Sequence, residues 1–225
     1  MLSYPSGLLS LQRHKWATCS NTHTTRMIKR LLDVLVSLIG IILLSPLFIV
    51  VSILIKCDSR GSVFFRQARV GRNNKDFVLY KFRSMHHQDW GKDQLLTVGD
   101  NDPRITRLGR WLRQLKIDEI PQLINVLKGD MSLVGPRPLV RQQVELYPDL
   151  YLPILAVRPG ITSPASIYFR HENALLGEQE CPEIYFKEVI MPKKIELNLE
   201  YVKHHSFIGD VKILLRTAYL TIFDR

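Results

Sequence analysis

Cysteine is scarce, at three of 225 residues, and Cys19, Cys57 and Cys181 form no C-x-x-C pair. This excludes a disulfide framework and a cysteine-based zinc site, and it fits a reducing compartment. Histidine offers no better ligand set: His86-His87 and His204-His205 are adjacent pairs, and helix neighbours diverge by about 100°, which suits a shared metal poorly. The chain lacks G-x-x-x-x-G-K-[ST], so a P-loop nucleotidase is excluded as a motif match. It also lacks internal repeats and low-complexity tracts. Acidic residues are outnumbered, 21 against 31 Lys and Arg, for a formal charge of +10. With 46% hydrophobic residues, the chain is neither a disordered acidic tail nor collagen-like. Its length leaves one compact core of about 150 residues once a targeting or membrane segment is set aside. The positive excess suits nucleic acid, an anionic membrane face or a phosphate-rich substrate.

Residues 1–26 show neither helical nor alternating periodicity and read as an unstructured, dispensable leader, with Met27 a candidate functional start. From Val34 to Ile55 there follow 22 residues without a charge, enough to cross a hydrocarbon core of about 30 Å. Length alone favours a single transmembrane anchor. Two features favour a re-entrant helix over 27–56 instead. Ser45-Pro46 sits in mid-run, where the proline ring removes a backbone hydrogen bond and kinks the helix. Arg26, Lys29 and Arg30 flank one end and Lys56, Arg60, Arg66, Arg69 and Arg72 the other, so the positive-inside rule places both ends on the cytoplasmic side. Asp33, one turn beyond Lys29 and Arg30, is expected to pair with them near the interface.

Residues 57–225 form the expected cytoplasmic domain. Ser62–Val70 and Asp76–Met85, rich in Val, Phe and Tyr, read as a β-hairpin around the turn Gly71–Lys75. Between Lys56 and Arg83 there are eight Lys/Arg and two Asp. A polar loop over 86–103 leads to a helix starting at Asp102-Pro103. Ile105, Leu108, Trp111, Leu112 and Leu115 recur there at helical spacing, beside Arg104, Arg107, Arg110, Arg113 and Lys116. Such a basic amphipathic helix is either a solvated face or one lying on anionic lipid. Asp210–Phe223 repeats the pattern and reads as core or as a second interfacial helix.

Asp118-Glu119 follow the basic helix directly. Beside Arg113 and Lys116 both carboxylates should stay ionised near neutrality, and one of them can coordinate a hard divalent cation while attacking phosphorus. Gly135-Pro136-Arg137-Pro138 holds an arginine between two prolines, where it can clamp a phosphate at little entropic cost.

Lys29–Pro46, Lys81-Phe82-Arg83-Ser84-Met85, the string Ile117–Pro138 (I-D-E-I-P-Q-L-I-N-V-L-K-G-D-M-S-L-V-G-P-R-P) and Arg158-Pro159-Gly160-Ile161-Thr162 closely resemble the bacterial sugar transferases known as monotopic phosphoglycosyl transferases. The resemblance covers about residues 27–223, in the minimal catalytic form. It implies an α+β fold, a mainly helical monotopic membrane protein with a re-entrant N-terminal helix, a β-hairpin and amphipathic interfacial helices. It implies transfer of a phosphosugar from a UDP-sugar to polyprenyl (undecaprenyl) phosphate, with release of UMP, through a covalent intermediate and with Mg²⁺, on the cytoplasmic face of the bacterial inner membrane. On this resemblance Asp118 is the nucleophile and metal ligand and Glu119 its partner in charge or proton management. Arg113, Arg137 and Arg170 hold phosphate or nucleotide oxygens, and Lys81 and Arg83 add positive field. Ser45 and Pro46 match the family's helix break. Ser163-Pro164-Ala165-Ser166 departs from the Gly-Trp-Ala-Gln of many relatives, which leaves the sugar open. A homodimer is also left open. Two rival readings are a membrane-tethered nucleic-acid binder, for which only Trp90 and Trp111 offer stacking surfaces and no reader motif exists, and a non-catalytic scaffold of a polysaccharide-assembly complex. No nucleic-acid partner is expected.

Overall fold

The computed structural model of the chain describes residues 23–86 and 102–223. The α+β expectation holds, with helices dominant beside an antiparallel hairpin and a two-stranded parallel pair. Helix α1 is His23–Leu43. It begins four residues ahead of Met27, so residues 23–26 are helical rather than part of an unstructured leader. No Pro or Gly separates His23 from the apolar run, and an established helix propagates cheaply through such residues. Residues 1–22, which include Cys19, lie outside the described residues, as do His87 and Trp90.

Helix α2, Ser45–Asp58, is bent by 60° from α1. Among the described residues no single helix is long and apolar enough to cross a bilayer, and these two meet that measure only as a bent pair. The break has an identifiable chemistry. Pro46 has no N–H to give the carbonyl of Ile42, and the Ser45 hydroxyl donates to that carbonyl instead at 2.8 Å. Around the bend Leu35, Leu38, Ile39, Ile42, Leu43, Ile49, Val50, Ile53 and Leu54 are all exposed, an apolar surface far larger than isolated surface leucines would make.

The polar residues of α1 do not pair with one another as the sequence suggested. Lys29 forms an ion pair with Asp210 and donates to the Val134 carbonyl at 3.2 Å. Arg30 donates to the carbonyls of Val126 and Leu127 at 2.7 and 3.1 Å. Asp33 accepts from the Ser132 hydroxyl at 2.8 Å and the Leu133 N–H at 3.2 Å. Each group meets a backbone end or buried charge that would otherwise be unsatisfied, which outranks a local pair between helix neighbours.

The hairpin forms as expected, with β1 at Phe64–Val70 and β2 at Asp76–Phe82. Its far edge is held by Asn125, from helix α4 (Gln122–Lys128). The Asn125 amide donates to the Val78 carbonyl at 2.7 Å and accepts from the Tyr80 N–H at 3.0 Å. The basic helix α3 runs over Arg107–Gln114 and starts later than Pro103. Asp102 instead turns onto the backbone N–H and side chain of Arg104, and Ile105 bridges to Met85. Such local side-chain bonds compete with helix, so Thr106 becomes the N-cap, accepting from the Gly109 N–H at 2.8 Å. Leu108 and Leu112 pack with Val51 and Ile55 of α2 and with Phe82, leaving Trp111 as the exposed apolar residue of this helix.

Strand β3, Ser132–Val134, pairs in parallel with β4, Gly160–Thr162. The two chains touch most closely at Gly135 and Gly160, where a Cβ on Gly160 would stand 2.0 Å from the Gly135 nitrogen. Short helices α5 (Arg141–Val144) and α6 (Pro148–Ile154) precede β4. After it come α7 (Pro164–Tyr168), α8 (Glu172–Gly177), α9 (Pro182–Tyr185), a π-helical turn over Phe186–Ile190, α10 (Met191–His204) and α11 (Phe207–Phe223). The largest apolar cluster joins α6 and α10 through Leu150, Tyr151, Ile154, Ile190, Met191 and Ile195. Helix α11 packs one face in the core and leaves an apolar face exposed. Ile213 and Leu214 pack on the β3 cluster, while Ile208, Leu215, Tyr219 and Phe223 are exposed.

Gly160→Ala should lower the melting free energy by about 1–3 kcal/mol or more, because the clash is with backbone rather than a movable side chain. Gly40→Ala meets only the Leu123 Cδ1 atom at 3.3 Å and should be close to neutral. Thermal or denaturant unfolding of the two variants in the same detergent would check the contrast.

Candidate functional site

The chain leaves α3 through Lys116, whose φ of 56° is left-handed. A non-glycine residue there turns the chain sharply at a conformational cost. The result is that Ile117 points into the cluster beneath α2, while Asp118 and Glu119 enter the interior from a single 3-10 turn, Ile117–Glu119. Pro121 then precedes α4. Adjacent carboxylates thus come off one tight turn in distinct directions, and their surroundings differ.

Glu119 is saturated. Arg137 holds it with both guanidinium nitrogens, one at 3.1 Å to Oε2, and Lys81 donates to Oε1 at 2.8 Å. Burial alone would raise its pKa, but the Arg137 and Lys81 charges outweigh that and hold it well below the usual carboxylate range. Asp118 is the opposite. It is 5% exposed, its Oδ1 has no hydrogen-bond partner, and its nearest cation, Lys81, stands at 3.9 Å from Oδ2. Burial pushes its pKa up, assisted by the Glu119 charge and opposed by Lys81, Arg113 and Lys116. The neighbouring carboxylates therefore shift in opposite senses, where the sequence treated them alike.

Strand β2 supplies Lys81, whose pKa burial lowers against the pull of Glu119. Arg113 lies close enough to influence both Asp118 and Asp102. Arg137, placed by the β3 exit and its flanking prolines, has its fork on Glu119 rather than open. Arg83 lies elsewhere. It donates to the carbonyls of Ile55, Ser59 and Arg60 at 3.2, 2.6 and 2.8 Å, so it closes the C-terminal end of α2. Arg170 follows α7 and donates its Nε to His171 at 2.8 Å. Ser45 and Pro46 are at the helix break, away from the carboxylates in sequence and joined to them through the α2, Leu112 and Ile117 packing.

Three residues near this site were not singled out for it by the sequence, where Arg69 read only as a basic flank of the apolar run and Glu172 and Lys194 not at all. Arg69, on the hairpin face shared with Lys81, bonds the Pro138 carbonyl and Gln67, and its Nε is buried without a partner. Burial and the like charge of Arg137 push it down to about 10. Glu172 and Lys194 form a second ion pair whose charges both act on Arg137. Only the knowledge that β1 faces Arg137, or that α8 meets α10, could have singled them out.

Among the described residues no group of three or more His, Cys, Asp and Glu could hold a metal. A magnesium ion needs no such cage when substrate phosphates and water complete its shell. The buried, unpartnered Oδ1 of Asp118 fits a ligand of that kind, and Glu119, fully engaged, does not.

The family model for bacterial sugar transferases matches residues 24–224. Over 207 residues the chain is 38% identical to an undecaprenyl-phosphate glucose phosphotransferase of Komagataeibacter xylinus, covering 88% of this chain and 36% of that protein. It is 41% identical over 194 residues to a UDP-N-acetylgalactosamine-undecaprenyl-phosphate N-acetylgalactosaminephosphotransferase of Aeromonas hydrophila, covering 84% of this chain and 42% of the other. It is 33% identical over 216 residues to the exopolysaccharide production protein ExoY of Rhizobium meliloti, covering 88% and 87%. The chain thus spans about two fifths of the length of the first two relatives and most of the third.

The opposite shifts predict opposite stability effects. A raised folded-state pKa means that Asp118 favours folding only below its unfolded pKa, and that this is lost as pH rises through the folded value. Asp118→Asn should therefore raise the melting temperature at pH 7, by roughly 2–4 °C for each 1 kcal/mol gained. Glu119, with a lowered pKa, favours folding above its unfolded pKa and loses that as pH falls through the folded value. Glu119→Gln leaves the part-buried Lys81 and the half-exposed Arg137 without their carboxylate and should cost about 1–3 kcal/mol at pH 7, with the difference from wild type shrinking in acid. Melting curves between pH 3 and 8 would check both signs.

Proposed function

Since the chain belongs to the bacterial sugar transferase family, we propose that it is a sugar-1-phosphate transferase, moving a phosphosugar from a UDP-sugar to undecaprenyl phosphate as a first step in building a surface glycan. The observation that carries the reading is Asp118: a buried carboxylate with one unpartnered oxygen, facing a cluster of cations, one packing layer from a broken apolar helix. The named relatives, glucose and N-acetylgalactosamine phosphotransferases acting on undecaprenyl phosphate, support this substrate class.

In the proposed mechanism the Asp118 Oδ1 attacks the sugar-bearing phosphorus. One bond forms from Oδ1 to phosphorus, the bridging P–O bond breaks, and UMP leaves with that oxygen and its electron pair. An oxygen of undecaprenyl phosphate then attacks the same phosphorus and expels the Asp118 carboxylate, giving the lipid diphosphosugar. Desolvation, which raises the Asp118 pKa, also makes its anion a stronger nucleophile. Lys81, Arg113 and Arg137 neutralise the diphosphate so that an anion can approach it. Arg137 reaches the diphosphate by giving up Glu119, which Lys81 retains. Glu119 therefore acts as a fixed counter-charge, since its depressed pKa leaves it no proton to exchange near neutrality. A magnesium ion held by Asp118 and the substrate would supply further charge neutralisation when bound.

The bent pair α1 and α2 is proposed to enter the cytoplasmic leaflet and return, with the exposed apolar face around Ile42 and Leu43 in hydrocarbon and the residues before α1 and after α2 on one side. A homodimer would be compatible with this placement.

Mixing the protein with UDP-sugar alone should release UMP and leave a phosphosugar adduct on Asp118, read by intact-mass and peptide mass spectrometry. Asp118→Asn should abolish the adduct and lower kcat by several orders of magnitude, while an adduct mapped to any other residue would overturn the mechanism. Membrane-impermeant labelling of cysteines placed at Thr22 and at Arg60 in intact cells should give no external signal at either; labelling at one alone would establish a straight span.

A further inference from the structure

The catalytic turn uses Arg137, but the ion pair beyond it has no role in the mechanism above. Glu172 opens α8 and Lys194 lies in the second turn of α10. They are joined by a hydrogen-bonded salt bridge, with the lysine side chain 12% and the glutamate 23% exposed. The Lys194 ammonium also sits over the rings of Phe169 and Phe186, at 5.7 and 5.5 Å. Those rings belong to the same cluster that Leu139 packs on, two residues beyond Arg137. The pair is thus built into the wall that carries the Arg137 loop.

Charges alternate across this wall: Lys81, Glu119, Arg137, Glu172, Lys194. Arg137 bonds Glu119 and feels Glu172 without bonding it. Ionising a carboxylate and an ammonium in the interior is costly, and removing one partner leaves the other charge seeking the nearest counter-ion. Arg137 is a cation whose charge reaches both members of this pair.

We propose that Lys194 is a positioning residue that sequesters Glu172, so that the Arg137 fork, when it leaves Glu119, is free to take the diphosphate of the substrate. The inference rests on the transferase reading and adds to it a residue pair that sets diphosphate affinity. Two carboxylates compete with substrate for Arg137. Glu119 is the competitor already bound and Glu172 the one held back. Without the Lys194 charge, Glu172 turns to Arg137, which is then shared between two carboxylates and weakly available to phosphate. Without either charge only Glu119 competes, as in the wild type.

The test is a double-variant cycle on the full chain, held in detergent micelles with Mg²⁺, with binding of UDP and of inorganic pyrophosphate measured by calorimetry. Lys194→Met should weaken both ligands at least tenfold. Lys194→Met combined with Glu172→Gln should return both to within threefold of wild type, and Lys194→Arg alone should stay near wild type. A merely structural pair predicts the reverse order, with the double variant no better than the single. A double variant that binds as weakly as Lys194→Met, or a Lys194→Met chain that binds as wild type does, overturns the proposal. If melting shows Lys194→Met unfolded, Glu172→Gln alone decides: it should bind at least as tightly as wild type, and a loss beyond threefold overturns the proposal. Wild type that binds pyrophosphate but not UDP would refute the nucleotide-sugar reading while the cycle still reads the gate. Binding of neither by wild type overturns both.

Discussion

The structure depends on how the first limb of the broken helix is fastened. Three charged side chains within five residues, Lys29, Arg30 and Asp33, each cross to a different part of the globular domain. They reach α11, the C-terminal end of α4 and the start of β3. The ion pair of Lys29 with Asp210 is reinforced by the Tyr201 hydroxyl, which donates to the same carboxylate at 2.8 Å. Charges buried at such a junction are costly unless every partner is present. The apolar limbs therefore cannot tilt independently of the strand that carries Arg137. Any shift of the bend is passed directly to β3 and the Arg137 loop that follows it.

The second limb makes the complementary connection through apolar contact. Val51 and Ile55 pack with Leu112 and Ile117, immediately before Asp118. One limb is thus polar-bonded to β3, which runs on toward Arg137, and the other is packed against the carboxylate turn. With the Asp118 turn packed on one limb and β3 bonded to the other, the bend between them carries a specific fix, the Ser45 hydroxyl on the Ile42 carbonyl. A helix that straightened there would pull the two halves of the site apart.

Much of this was legible in the sequence. The long uncharged run, the Ser-Pro break, the hairpin and the Asp-Glu pair each have strong local signals: a hydropathy stretch, a missing N–H, alternation around a polar turn, a string of residues shared with a family. The partners of those signals were not legible, because they are tertiary. Asp33 looked like a mate for Lys29 one turn away, whereas a strand 99 residues distant supplies its hydrogen bonds. Arg83 read as site charge by proximity to Lys81, yet it lies just past the end of β2 at Phe82, where its guanidinium closes the C-terminal end of α2 instead. Arg137 read as an open clamp, and the structure fills it with Glu119. Arg69, Glu172 and Lys194 carried no motif. Their importance comes from charges brought together by folding, which spacing along the chain does not encode.

Asn125 illustrates what a side chain can do for a backbone. A two-stranded hairpin normally leaves both outer rows of N–H and C=O groups open, and such a row is a template for adding a foreign strand. By donating to Val78 and accepting from Tyr80, the Asn125 amide stands in for one peptide unit of a third strand. At this point of the hairpin edge a single side chain occupies the pair of groups that another extended segment would need. The integrity of the lysine-bearing strand thus draws on one carboxamide.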